Sequence, residues 1–140
     1  MCGNQFVDLW DTDRPATGLN GTAYEPELFT NRTVAVIEAH LARAPGAPLF
    51  LYHAFHLIHT PLEVPGTWLH RFTYIDNDER RRVSAMVAYL DDAVGQIVAA
   101  LKRAKMWSNT LLVWTSDNGG AIYTPAGGNN WPLRGGKYDA

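Results

Sequence analysis

Leu111-Leu112-Val113-Trp114-Thr115-Ser116-Asp117-Asn118-Gly119-Gly120 decides the fold. An apolar run of strand length ends in an acid, an amide and two glycines. In an open α/β sheet, ligands bind at the carboxyl ends of strands. Asp117 and Asn118 offer the hard oxygen ligands a divalent cation takes. The glycines let the backbone turn sharply and come close to a bound group. Asp-Asn-Gly-Gly is equally good turn chemistry, so the plain-turn reading stands beside the metal-site reading.

Working outward, Val83, Met86, Val87, Leu90, Val94, Ile97, Val98 and Leu101 keep helical spacing and predict a long helix at about 78–105. Asp76-Asn77-Asp78-Glu79 resembles a capping box at its start, and Lys102, Arg103 and Lys105 suit the dipole at its end. Arg80-Arg81-Arg82 reads as a solvated first turn offset by Asp78 and Glu79. Before this helix, the near-continuous apolar run from Pro48 to Phe55 reads as a strand buried on both faces. A further helix is expected at about 28–44, with Leu28, Val34, Ile37 and Leu41 on one face, Thr30 or Asn31 as cap, and Pro45-Gly46 as stop. Residues 1–27 read as irregular.

Helix, strand, helix, strand is the order of βαβ units, so the class is α/β with a mostly parallel central sheet. The crossover through the long helix should be right-handed. Two strands leave two long edges and much apolar surface bare, which points to part of a larger domain.

A parallel pair puts both strand ends on one side of the sheet. His56-Leu57-Ile58-His59-Thr60-Pro61-Leu62 follows the first strand and Ser116-Asp117-Asn118-Gly119-Gly120 the second, so the two loops face one cleft. A third loop, Gly127-Gly128-Asn129-Asn130-Trp131-Pro132-Leu133-Arg134-Gly135-Gly136-Lys137, adds polar and basic groups. Asp117 and Asn118 are candidate metal ligands, and His59 and Lys137 candidate catalytic groups that hold or protonate an anion. The bland alternatives are a loop-bonding histidine and a solvated surface lysine. His53, His56 and His59 lack the spacing of a zinc site. Trp68 and Trp131 read as packing residues, with a sugar-stacking role as the alternative.

The bulk numbers exclude some classes. A net charge of −2 argues against a nucleic-acid partner. No apolar run looks long enough to span a bilayer, and the start lacks the pattern of a signal peptide. One cysteine, Cys2, excludes an internal disulfide framework. Two glycosylation tripeptides, Asn20-Gly21-Thr22 and Asn31-Arg32-Thr33, matter only in an exported chain.

Taken together, Pro48-Leu49-Phe50-Leu51-Tyr52, His59-Thr60-Pro61-Leu62, Leu90-Asp91-Asp92-Ala93-Val94-Gly95 and Thr115-Ser116-Asp117-Asn118-Gly119-Gly120 resemble the middle of type I sulfatases. Gly127-Gly128-Asn129-Asn130-Trp131-Pro132-Leu133-Arg134-Gly135-Gly136-Lys137 is similar to the arylsulfatase B branch in particular, and the resemblance runs over about residues 6–140. It implies an alkaline-phosphatase-like sandwich, with residues 1–140 the central part of one catalytic domain. It implies hydrolysis of sulfate esters of glycans or aryl compounds. It implies Asp117 and Asn118 as calcium ligands, His59 as a sulfate contact that protonates the leaving oxygen, and Lys137 as a second sulfate contact. Secreted, lysosomal or periplasmic placement is usual in that family.

The departures are specific. The family's formylglycine nucleophile arises from a Cys/Ser-x-Pro-x-Arg motif, and no cysteine or serine here stands in one. The aspartate pair that completes the calcium site is also missing. The expectation is an internal piece of a sulfatase, inactive alone, whose formylglycine and remaining calcium ligands lie upstream. Two alternatives stay open: a phosphodiesterase or phosphonate hydrolase of the same superfamily, and a noncatalytic paralogue that binds sulfated glycan.

Overall fold

Residues 9–19, 21, 23–124 and 127–138 are described by a computed structural model. Cys2 and most of the first glycosylation tripeptide lie outside the described residues. The elements are β1 (Trp10–Asp11), β2 (Arg14–Pro15), α1 (Glu25–Arg43), α2 (Gly66–Leu69) and α3 (Asp78–Arg103). Short 3-10 turns follow at His70–Phe72 and Trp107–Asn109.

Helix α1 begins three residues earlier than the spacing suggests. Its N-cap is Tyr24, and Pro26 sits in the first turn, where its missing N–H costs nothing. Glu25 and Glu27 in that turn suit the positive end of the helix dipole. Thr30 and Asn31 are therefore interior positions rather than caps. The buried face runs Pro26, Thr30, Thr33, Ile37, while Leu41, expected on that face, is 43% exposed. Two threonines tolerate burial because their hydroxyls are satisfied. Thr30 Oγ1 donates to the Pro26 carbonyl at 2.7 Å, and Thr33 Oγ1 lies 2.6 Å from His53 Nδ1.

Helix α3 forms as its spacing predicts, but its cap is Asn77 rather than an Asp76-centred box. The Asn77 side chain accepts the N–H of Arg80 at 2.8 Å. Its most buried positions are Ala85, Met86, Tyr89, Ala93, Ala100 and Leu101. Three of these six are alanines, and small side chains let a neighbouring helix lie close. Ile37 packs with Ala100, Leu101 and Ala104, and Val34, Leu49, Leu51, Ile97 and Met106 close around them. Helix α2 joins through Trp68, whose ring meets Tyr89 edge-on at 5.3 Å. Burial, then the nearby Glu27 carboxylate, then Tyr24 and Asp92, push the Tyr89 hydroxyl up to about 12.

Against the expectation of no bilayer-length apolar run, α3 is long and apolar enough by length and composition to cross a membrane. Asp91 and Asp92 sit mid-helix, where a charge at a bilayer centre costs roughly 2.5–3.5 kcal/mol. Ala100, Leu101 and the adjoining Ala104 pack on Ile37 of α1, and length and composition alone do not make α3 a membrane span.

The two expected strands are where structure and sequence part. The only ladder among the described residues is the antiparallel β1–β2 pair, with Trp10 opposite Pro15 and Asp11 opposite Arg14. Residues 48–55 and 110–115 carry no ladder. Residues 49–57 nevertheless alternate strictly between half-buried and exposed, the side-chain pattern of a strand with one covered face. Leu49 and Leu51 lie on the helix pair, while Phe50 is 91% and Tyr52 83% exposed. The two segments run near each other, with the Phe55 and Trp114 rings 6.1 Å apart. A ladder needs a neighbour in hydrogen-bonding register, and neither segment meets one among the described residues. The expected burial on both faces is thus burial on one.

Ile37→Ala should destabilise the protein by about 2–5 kcal/mol in chemical denaturation, because it opens a void where α1 meets α3. Exposed Val36→Ala, one position away, should stay within about 0.5 kcal/mol.

Candidate active site

The loop after residues 48–55 and the end of the glycine-rich loop meet at one contact. Lys137 Nζ donates to His59 Nε2 at 3.0 Å, across 78 residues of chain. His59 Nδ1–H in turn donates to the Thr60 carbonyl at 2.8 Å. A carbonyl on one ring nitrogen and an ammonium on the other fix the tautomer, with the proton on Nδ1. Lys137 Nζ also stands 5.5 Å from the Tyr138 ring centroid. The result is a half-buried ammonium beside an exposed imidazole edge, a pairing whose chemistry suits an anion.

The second half is the turn after residues 111–115. Gly119 has φ of 75°, a left-handed conformation that glycine takes without strain. Its N–H donates to Ser116 Oγ at 3.1 Å, and Asn118 Nδ2 donates to Asp117 Oδ2 at 2.9 Å. Turning the amide nitrogen onto the acid leaves Asp117 Oδ1 and Asn118 Oδ1 without a hydrogen-bond partner among the described residues. Hard oxygen donors of this kind fit calcium in chemistry. They fall short in number, since calcium takes about six to eight oxygens.

The two halves are tied together through Gly120. Its N–H donates to Asn130 Oδ1 at 2.7 Å, and its carbonyl accepts Asn130 Nδ2 at 3.0 Å. The same carbonyl accepts the backbone N–H of Lys137 at 3.1 Å. Gly128 N–H donates to the Ala121 carbonyl at 2.7 Å, so the two loops lie backbone to backbone. A Cβ on Gly128 would stand 2.7 Å from Gly120 Cα, and one on Gly136 would stand 2.7 Å from the Gly120 oxygen.

All four candidates, His59, Lys137, Asp117 and Asn118, therefore lie on loops that the structure connects. The three histidines part company. His59 meets Lys137, His56 Nδ1 lies 2.5 Å from Glu25 Oε1, and His53 turns to Thr33. No group of three or more His, Cys, Asp or Glu that could hold a metal occurs among the described residues. His53 Nε2 is buried without a partner in the described structure, and burial holds the imidazole below its ordinary 6.5. The arginines of the first turn of α3 are not simply solvated. Arg82 pairs with Asp78 at 2.7 Å, but Arg80 Nη1 donates to the Gly127 carbonyl at 3.1 Å and Arg81 Nε to Ile75 at 2.9 Å. Sequence reasoning missed Asn130 and Arg80 as loop ties. The Gly-Gly-Asn-Asn pattern was a signal for the first, because adjacent glycines mark a close backbone approach.

The sulfatase family model matches residues 1–140. The chain belongs to the sulfatase family. It is 38% identical over 137 residues to arylsulfatase J of Mus musculus, covering 98% of this chain and 22% of that protein. It is 33% identical over 135 residues to N-acetylgalactosamine-6-sulfatase of Homo sapiens, covering 95% of this chain and 24% of that protein. The chain thus spans about a quarter or less of the length of these sulfatases. A crystal structure of Ps i-CgsB in complex with k-i-k-neocarrahexaose superposes with a TM-score of 0.78 at 32% identity, over 90% of this chain and 26% of that one. Membership of the sulfatase family and this structural likeness agree with an alkaline-phosphatase-like fold.

Two measurements check the site. Ring nitrogen-15 shifts should report His59 protonated at Nδ1, with the preference weakened in Lys137→Ala. For His53, a folded pKa below the unfolded one means that the unfolded chain binds more protons between the two values. Its contribution is complete above about 6.5 and is lost as pH falls from there toward the folded value. The stability advantage of wild type over His53→Gln should shrink as pH is lowered through that window in denaturant titrations.

Proposed function

We propose that these residues form the central part of one sulfatase catalytic domain, and that the whole protein hydrolyses sulfate esters of glycans or aryl compounds. The observation that carries the reading is the 3.0 Å contact between Lys137 Nζ and His59 Nε2, on loops tied to the Asp117-Asn118 turn. Names among its relatives, arylsulfatase and N-acetylgalactosamine-6-sulfatase, favour the same substrate class.

Asp117 and Asn118 would hold calcium together with ligands from outside this segment, and a bound calcium would supply positive charge to the sulfate oxygens. The formylglycine nucleophile belongs to the same outside part. The residues of this chain have separable tasks. Lys137 places an ammonium against the sulfate oxygens, where fixed positive charge aimed at developing negative charge lowers the barrier. His59 stands beside it and carries the proton that the departing alkoxide needs. The proton enters at Nε2, the nitrogen that Lys137 contacts. Nδ1, bonded to Thr60, keeps the ring oriented. The Lys137 contact must therefore yield as substrate enters, and Lys137 transfers its hydrogen bond from the imidazole to a sulfate oxygen.

Lys137→Ala in the full-length protein should lower kcat/KM for a sulfate ester by about 10²–10³. His59→Ala should lower it by about 10²–10⁴ on an alkyl sulfate, and by much less on 4-nitrophenyl sulfate, whose leaving group departs without a proton. Chelation of calcium, or loss of both Asp117 and Asn118, should abolish turnover. Turnover of a phosphodiester but of no sulfate ester would replace this reading with a phosphodiesterase of the same superfamily.

A further inference from the structure

We propose that Asn130 is a positioning residue that keeps Lys137 in register with the Asp117-Asn118 turn. The inference rests on the sulfatase reading above and assigns a task to a residue that touches neither sulfate nor metal in that scheme.

The argument starts from Gly120. Its carbonyl accepts two donors at once, Asn130 Nδ2 at 3.0 Å and the backbone N–H of Lys137 at 3.1 Å. Its N–H is taken by Asn130 Oδ1 at 2.7 Å. One carboxamide thus grips both polar groups of a single peptide residue, as a neighbouring strand would. Asp117 and Asn118 lie three and two residues before that grip, and Lys137 hangs from the same carbonyl. A shift of Asn130 therefore moves the anion-binding cation relative to the metal-ligating oxygens. Glycine at 120, 128 and 136 is required by the same packing, since added Cβ atoms would fall within 3.0 Å of backbone. Carboxamide geometry is specific here. Asp at 130 keeps the acceptor for the Gly120 N–H but turns a second oxygen onto the Gly120 carbonyl, where Asn presents a donor. Asn129 next door is a fair control, because its side chain caps only the N–H of Trp131 at 3.1 Å.

The test uses the full-length protein with Asn130→Ala, the isosteric Asn130→Asp, and Asn129→Ala. Two constants are read that do not depend on the active fraction: the half-saturating calcium concentration and the inhibition constant of inorganic sulfate. Both should rise about ten- to hundredfold in each Asn130 variant, the usual loss when a group orienting metal ligands is removed, and stay within about twofold in Asn129→Ala. Deuterium exchange in the same variants should quicken in peptides spanning 117–121 and 135–138 together. Wild-type constants, with only yield or melting temperature reduced, would show Asn130 to be merely structural and overturn the proposal. If wild type itself neither needs calcium nor is inhibited by sulfate, the sulfatase reading falls, and exchange decides Asn130 by itself. Unchanged exchange in either segment then overturns the tie. Should Asn130→Ala fail to fold, Asn130→Asp carries the same comparison.

Discussion

Contact between α1 and α3 is the constraint on which the other positions depend. Alanines at 100 and 104 let α1 lie close, and Ile37 packs against them and Leu101. Dispersion and apolar burial at such a close seam are large in sum though small per atom. The helix pair then serves as the floor on which residues 49–55 rest through Leu49 and Leu51. The end of α3 sets where the chain leaves for residues 110–115, by way of Met106 and the Trp107–Asn109 turn. Its beginning holds Arg80, which reaches the Gly127 carbonyl and ties the glycine-rich loop back to the helix.

The extended segments have one covered and one bare face. Phe50, Tyr52, Leu111 and Val113 are all at least 75% exposed. Exposed aromatic and aliphatic side chains in a row are costly in water and invite a covering layer. A strand buried on both faces needs helices on each side of the sheet. The helix pair described here supplies one side. This agrees with a chain that spans about a quarter or less of the sulfatases it matches.

At the site, distance along the chain and distance in space are decoupled. Lys137 is hung by its backbone from the Gly120 carbonyl, and its side chain reaches His59 at 3.0 Å. Gly120 has no side chain, which is why Asn130 and the Lys137 backbone can both reach its carbonyl. Local stiffness at a site of this kind comes from hydrogen bonds with satisfied partners, which rigidify when complete. His59 stays exposed at its rim, with Lys137 half-buried beside it.

Much of this was legible in the sequence. Spacing alone located α3, and Asp-Asn-Gly-Gly behind an apolar run marked the turn that carries Asp117 and Asn118. The family resemblance singled out His59 and Lys137 among five histidines and twelve basic residues. These features are local, since periodicity and turn chemistry act within a few residues. What the sequence left undecided is long-range. Thr30 and Thr33 look like caps or surface residues until a carbonyl and an imidazole satisfy them. Arg80 looks solvated until Gly127 arrives. The tautomer of His59 is undefined until Lys137 and Thr60 take its two nitrogens. Only the tertiary structure decides these, because each depends on a partner that backbone packing, not sequence neighbourhood, brings within hydrogen-bond reach.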